Sequence, residues 1–305
     1  MSLPIPVPDS TRLLPLVKTY SDEVTPIAWP LPPGACDAHV HVFGPADRFA
    51  YADDRSFTPV DAPKETLFAL HRRLGIERCV IVQSMVHGLD NRVVSDAIAA
   101  GGGRYLGVAL VRPDVSLAEL RALAAVGYRG VRFNFTAHLG SGIEPAALPG
   151  FCQRLADADM HLQVHFASGR IHDLSPLLLR SPVPVVIDHM GRVDARLGVD
   201  HPDFRQLCAL LDTGRFLVKI SGIDRIDSGV PLDVPPYPRG IVLARHLVER
   251  FPERCLWGTD WPHPNHTHVP DDGVLLNALA AIVPDASLRH RILVDNPAVF
   301  YKFSS

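Results

Sequence analysis

The sequence predicts a single (β/α)8 barrel of the α/β class, the TIM-barrel architecture, and three observations carry that prediction. Eight short apolar runs alternate with longer stretches of helical period, no break in composition divides the chain after its first thirty residues, and several runs end in a charged or hydrogen-bonding residue. Such alternation builds a parallel sheet from β-α units. A length of 305 residues suffices for one barrel with insertions, and barrel chemistry sits at the C-terminal ends of the strands.

The elements follow in order. Residues 1–32 are read as an irregular N-terminal arm, because Pro4, Pro6, Pro8 and Pro15 oppose regular structure there, and residues 33–305 as the barrel. The arm could lie on its own barrel or on a neighbouring subunit, which leaves room for a homo-oligomer. The eight predicted strands are Cys36 to Phe43, Cys79 to Gln83, Tyr105 to Val111, Gly130 to Phe135, His161 to Phe166, Val183 to Ile187, Phe216 to Ser221 and Cys255 to Asp260. Between them Leu67, Leu70 and Leu74, and again Leu117, Leu120 and Leu123, recur at helical spacing, with Gly75 and Gly127 as stops. A doubly wound nucleotide-binding sheet would need a glycine-rich first turn. The first strand here runs instead into Asp37-Ala38-His39-Val40-His41, which cannot cradle a pyrophosphate.

Composition narrows the function classes. Hydrophobic residues make up 47% and charged residues 21%, as in a globular enzyme. The formal net charge is −3 and the Lys and Arg residues are scattered, which argues against a nucleic-acid partner. Five cysteines at irregular spacing form no paired framework, so buried free thiols in a cytoplasmic protein are expected. The first thirty residues lack a basic segment followed by an apolar run, so neither a signal peptide nor a membrane partner is expected.

The strand ends supply the candidate site. His39 and His41 are one residue apart on a strand, so both point to one face, which at that end of a barrel is the lumen. A pair of satisfied core histidines is the bland alternative. Asp260 closes strand eight, and Pro262 and Pro264 stop the strand from continuing. Asp188 and His189 end strand six as an ionisable pair that is expensive to bury unless paired or reactive. His165, inside strand five, is also compatible with an ordinary core residue. Arg132, Arg192 and Arg225 lie at or after the ends of strands four, six and seven. A guanidinium fork suits a carboxylate, so they point to an anionic substrate, or to pairing with a structural Asp or Glu.

Asp37-Ala38-His39-Val40-His41, Asp188-His189-Met190-Gly191-Arg192 and Trp257-Gly258-Thr259-Asp260-Trp261-Pro262-His263-Pro264 resemble the amidohydrolase-related family of the amidohydrolase superfamily, in its 2-pyrone-4,6-dicarboxylate lactonase branch. Gln83 through Asn91, Gly130 through Phe135 and Val294-Asp295-Asn296-Pro297 extend the likeness to roughly Pro33 through Tyr301. The resemblance implies a barrel hydrolase that opens a small carboxylate-bearing lactone, of the pyrone-dicarboxylate, muconolactone or sugar-acid kind, in catabolism of aromatic or sugar-acid compounds. It implies that His39, His41 and His189 polarise the lactone carbonyl and that Asp260 is the general base. Arg132, Arg192 and Arg225, with Ser84 and His87, would bind the substrate.

Two positions depart from the branch pattern. His165 stands where a strand-five tyrosine is expected, and Phe57 stands for another tyrosine after strand one. The first restores a histidine used as a ligand by metal-dependent relatives, so one divalent ion, zinc by preference, is expected on His39, His41, His165 and Asp260 if a metal is bound. A metal-dependent decarboxylase of the same superfamily is the enzymatic alternative, and a binding or scaffold barrel the non-enzymatic one, which would leave the converging histidines without a use.

Overall fold

A computed structural model describes residues 15–136, 142–227, 236–266 and 268–303. Eight parallel strands form one sheet in strict chain order: β1 (Cys36–Val40), β2 (Arg78–Val82), β3 (Tyr105–Ala109), β4 (Tyr128–Phe135), β5 (His161–Phe166), β6 (Val185–Ile187), β7 (Phe216–Lys219) and β8 (Cys255–Leu256). A helix follows each: α1 (Lys64–Leu74), α2 (Arg92–Ala100), α3 (Leu117–Ala125), α4 (Leu148–Asp157), α5 (Ile171–Leu178), α6 (Pro202–Asp212), α7 (Pro238–Arg250) and α8 (Asp272–Ile282). The predicted barrel is therefore present, with all eight strands where apolar runs were read.

Local chemistry explains the helix ends. Leu67, Leu70 and Leu74 of α1 are buried, and Gly75 ends the helix in the left-handed conformation that costs glycine nothing. Ser116 and Glu119 form a reciprocal capping box at the start of α3, which satisfies amide groups that would otherwise be orphaned.

The last and first strands close the barrel without a regular ladder. β8 leaves the sheet after Leu256, four residues before its predicted end, and three backbone hydrogen bonds take over: Ala38 N–H to Trp257 O at 2.8 Å, Asp260 N–H to His39 O at 2.8 Å and His41 N–H to Trp261 O at 2.6 Å. Gly258 permits that approach, since a Cβ there would lie 2.6 Å from the His39 nitrogen. On the other side of β1 the pairing with β2 slips between Asp37 and Val40. This bulge breaks simple alternation. His39 and His41 turn towards Asp260, while Asp37 accepts from Thr259 Oγ1 at 2.6 Å and from the Thr259 and His39 amides at 3.1 Å.

Two apolar clusters share the sheet. The larger joins the outer strand faces to the helices. The smaller contains Cys36, Ala38, Val80, Val82, Leu106, Val108, Val186, Leu217 and Leu256 with Tyr301, whose ring is fully buried beneath Phe300 and Phe303. It plugs the N-terminal end of the barrel. The described part of the arm packs on its own barrel: the Tyr20 ring lies tilted against Trp261 with centroids 5.4 Å apart, Thr25 donates to Asp271, and Ala28 N–H donates to Asn277. All five cysteines are buried and free. No described helix is long and apolar enough to cross a membrane.

Candidate active site

The C-terminal ends of the strands bring His39, His41, His189 and Asp260 to one point. The Nε2 atoms of His41, His39 and His189 lie 3.3, 3.6 and 3.8 Å from a single oxygen, Asp260 Oδ1. All four side chains are almost fully buried. His39 Nε2 and Asp260 Oδ1 make no hydrogen bond among the described residues, although buried polar atoms are normally satisfied.

Local backbone sets these directions. His189, Met190, Gly191 and Arg192 all adopt positive φ (48°, 52°, 63° and 53°), so the chain leaving β6 makes a left-handed turn that brings both His189 and Arg192 to the cleft. Three of the four are not glycine, at a cost of about 1–2 kcal/mol each. Gly222, itself left-handed at φ 74°, lets the chain after β7 pass close to the His189 ring, and Ser221 Oγ lies 2.9 Å from His189 Nδ1. Asp260 has φ 69°.

Protonation follows from burial and charge. Burial lowers the pKa of His41, His165 and His189 and, with the Lys219 ammonium adding to it, takes His39 down to about 3, so all four imidazoles are neutral at pH 7. Burial works against ionisation of Asp260, yet the Arg225 guanidinium foremost, then the imidazoles, hold its carboxyl well below the usual carboxylate range. The base candidate is ionised by an arginine rather than by an imidazolium. His41 has a defined tautomer: its Nδ1–H donates to Val82 O at 2.7 Å, which leaves a lone pair on the Nε2 that faces Asp260.

The three arginines separate by partner. Arg225 Nε donates to Asp260 Oδ2 and its Nη2 to Pro264 O at 3.0 Å, so much of its fork is committed inside the protein. Arg132 Nε lies 2.9 Å from Asp188 Oδ2 without the alignment of a hydrogen bond, and that carboxylate also faces His39 Nδ1 at 3.3 Å. Arg192 makes no ion pair among the described residues. All three line the cleft with Ser84, Met85 and His165. Arg132 and Arg225 thus pair with Asp188 and Asp260 and also face the cleft, so the two readings left open for them in the sequence are compatible with one geometry.

Two expectations change. His87 does not line this cleft: its Nε2 accepts from Gly44 N–H at 3.1 Å and its Nδ1 pairs with Ala50 O at 3.0 Å, so it braces the loop after β1. Ser84 does line it, with its Oγ accepting from Val86 N–H. His165 stands outside the donor clusters that could hold a metal, which are His39, His41 and Asp260, and His39, Asp188 and His189. Its Nδ1 is oriented by Asn134 Oδ1 at 3.2 Å, and its ring meets His189 edge-on at 5.7 Å. Phe57 lines the cleft mouth beside Ser56, whose Oγ reaches Asn265 at 3.1 Å.

Sequence reading gave no role to the layer beneath. Lys219 is fully buried, its Nζ 3.0 Å from Gln163 Oε1, 3.2 Å from His39 Nδ1 and 3.7 Å from Asp188 Oδ1, and Gln163 Nε2 donates to Asp188 at 3.1 Å. Burial takes its pKa down to about 8 against the pull of Asp188. The signal was available: a lysine closing the apolar run Phe216-Leu217-Val218 must be paired to be tolerated there.

Known proteins resemble this chain over most of its length. The chain is 43% identical over 282 residues to a 4-sulfomuconolactone hydrolase of Rhizobium radiobacter, covering 90% of this chain and 91% of the relative. It is 41% identical over 277 residues to a 2-pyrone-4,6-dicarboxylate hydrolase of Comamonas testosteroni, covering 89% and 91%. A solved Acinetobacter baumannii structure, assigned as a 2-pyrone-4,6-dicarboxylic acid hydrolase and holding citric acid, superposes with a TM-score of 0.77 at 26% identity, covering 88% of this chain and all of the other. The amidohydrolase family model matches residues 36–303, and the chain belongs to that family.

Proposed function

We propose that this chain is a hydrolase that opens a small lactone bearing a carboxylate or sulfonate, by adding water to the ring ester carbonyl. One observation carries the reading: three imidazole nitrogens converge on one ionised carboxylate oxygen beneath a rim of three arginines. The names of the relatives, a sulfomuconolactone hydrolase and a pyrone-dicarboxylate hydrolase, support the same substrate class.

In this reading Asp260 Oδ1 takes a proton from water, the resulting oxygen attacks the carbonyl carbon, and imidazole N–H groups hold the tetrahedral oxyanion. Asp260 then returns the proton to the ring oxygen as the ester C–O bond breaks, releasing a hydroxy acid. Arg192 holds the substrate anion, with the free nitrogens of Arg132 beside it. Arg225 couples the two events. While it grips Asp260 the carboxylate is a weak base, and a substrate anion that draws the guanidinium away raises that basicity.

The donors also fit a divalent ion. His39 and His41 Nε2 with Asp260 Oδ1 lie close enough to ligate one, and two of those three atoms are buried without a hydrogen bond among the described residues. Three protein ligands leaving an open position suit catalytic zinc, which when bound would supply Lewis-acid activation of water and carbonyl. A panel of carboxylated and neutral lactones, followed with a pH indicator with and without chelator, tests the proposal. Proton release with an anionic lactone is expected. Release of carbon dioxide, or tight binding without turnover across the panel, would overturn it.

A further inference from the structure

Lys219 is a charged group that the hydrolytic reading leaves without a task. It closes an otherwise apolar strand, and burying an ammonium costs several kcal/mol unless it is paired. An ammonium has three N–H donors and no lone pair, so its contacts with Gln163 Oε1 at 3.0 Å and His39 Nδ1 at 3.2 Å are both donations. His39 Nδ1 is then the acceptor. Because a neutral imidazole carries one proton, that proton sits on Nε2, 3.6 Å from Asp260 Oδ1. Asp188 Oδ1 lies 3.3 Å from the same Nδ1 and calls for the opposite arrangement, but it makes no hydrogen bond among the described residues. His41 is the contrast, for its Nδ1–H goes to Val82 O and its Nε2 keeps the lone pair. The two histidines of one motif therefore present opposite faces to Asp260, His39 a donor and His41 an acceptor.

We propose that Lys219 is a positioning residue that holds His39 in its Nε2–H tautomer, making His39 a hydrogen-bond donor towards the reacting carbonyl oxygen and weakening capture of a divalent metal. Ligation through His39 Nε2 requires that proton to move to Nδ1, where it would meet a Lys219 N–H head on. The ammonium charge opposes the metal as well. Removing Lys219 frees Nδ1 to donate to Asp188, the carboxylate–histidine pairing that favours metal ligation. The proposal deepens the hydrolytic reading of the same centre, yet its readouts do not depend on which lactone is opened.

The test uses full-length protein labelled with 15N at histidine, the His39 ring signals being identified by their loss in His39→Gln. Long-range 1H–15N correlation should show Nε2–H at His39 in the wild type and Nδ1–H in Lys219→Met. Zinc affinity, measured by competition with a chromophoric chelator, should tighten in folded Lys219→Met by about tenfold to a hundredfold. A wild-type His39 carrying its proton on Nδ1 would overturn the proposal, and so would a folded variant whose zinc affinity is unchanged or weaker. Should Lys219→Met not fold, the wild-type tautomer decides alone. Absence of turnover on every lactone, with tautomer and affinities as expected, would remove the hydrolytic reading and leave this one standing.

Discussion

The two ends of this barrel are built from the same eight strands and obey opposite rules. At the N-terminal end Cys36, Leu106 and Tyr301 form an apolar plug, closed by the aromatic rings of Phe300 and Phe303. At the C-terminal end, His39 Nε2, His165 Nε2 and Asp260 Oδ1 are buried without hydrogen bonds among the described residues. Six of the nine described non-glycine residues with positive φ, namely His189, Met190, Arg192, Asp260, His263 and Asn265, lie in the loops after β6 and β8. The N-terminal end is packed chiefly from apolar atoms, with Tyr301 Oη and His161 Nε2 as its own orphaned polar atoms, and the C-terminal end gathers ionisable groups and most of the strained backbone. The difference teaches where stability is gathered and where it is spent: packing at one end holds strain in place at the other.

That contrast can be broken from either side. The largest effect is expected at the open end. Asp260→Asn should preserve the fold and lower kcat by roughly two to four orders of magnitude, because it removes the group that moves the proton. Steady-state kinetics beside a thermal melt would check this. Near-normal kcat would move the base role to a histidine, His189 first, and leave Asp260 as an orienting partner.

Next in size is a change at the plugged end. Tyr301→Ala should cost about 3–5 kcal/mol of stability, as large aromatic truncations in cores do, while kcat measured well below the melting temperature stays unchanged. A matched fall in kcat would show that the plug and the site are not separable.

The arginines sharpen the comparison within the open end. Arg192→Met should lower kcat/KM about tenfold to a hundredfold for a carboxylated lactone and much less for its neutral analogue, since a charge-assisted hydrogen bond is worth about 1.5–3 kcal/mol. Arg132→Met should penalise both substrates, because Asp188 loses a counterion whether or not the substrate is charged. Equal losses on both substrates from Arg192→Met would make that residue structural too.

The smallest effect near neutrality belongs to His161, at the start of β5, whose ring packs between Phe300 and Tyr301. Burial and the Lys219 ammonium lower its pKa from 6.5 to about 3. The unfolded chain therefore binds the extra proton between those values, so the contribution is complete above pH 6.5 and is lost as pH falls towards 3. His161→Leu should flatten the acid side of the stability profile, by under about 1 kcal/mol at pH 6 and by about 1.4 kcal/mol more for each unit below that. Denaturant melts from pH 4 to 8 would show it, and parallel wild-type and variant profiles would refute it.

The sequence by itself determined whatever is local in the chain. The eight β-α units, the His39-x-His41 pair, Asp260 at a strand end and the family likeness are set by periodicity and by residues only a few positions apart. Tertiary structure decided whatever depends on partners distant in sequence. The bulge that turns Asp37 away from His39, the three hydrogen bonds that close β8 onto β1, and the removal of His87 from the cleft come from contacts across dozens to hundreds of residues. An arginine after a strand reads the same whether it meets a substrate or a carboxylate, so only the fold could assign Arg225 to Asp260 and Arg132 to Asp188. Lys219 is the sharpest case. Its composition signal is a single charge in an apolar strand, and its contact with His39, 180 positions away, exists only because barrel closure brings β7 and β1 to the same lumen.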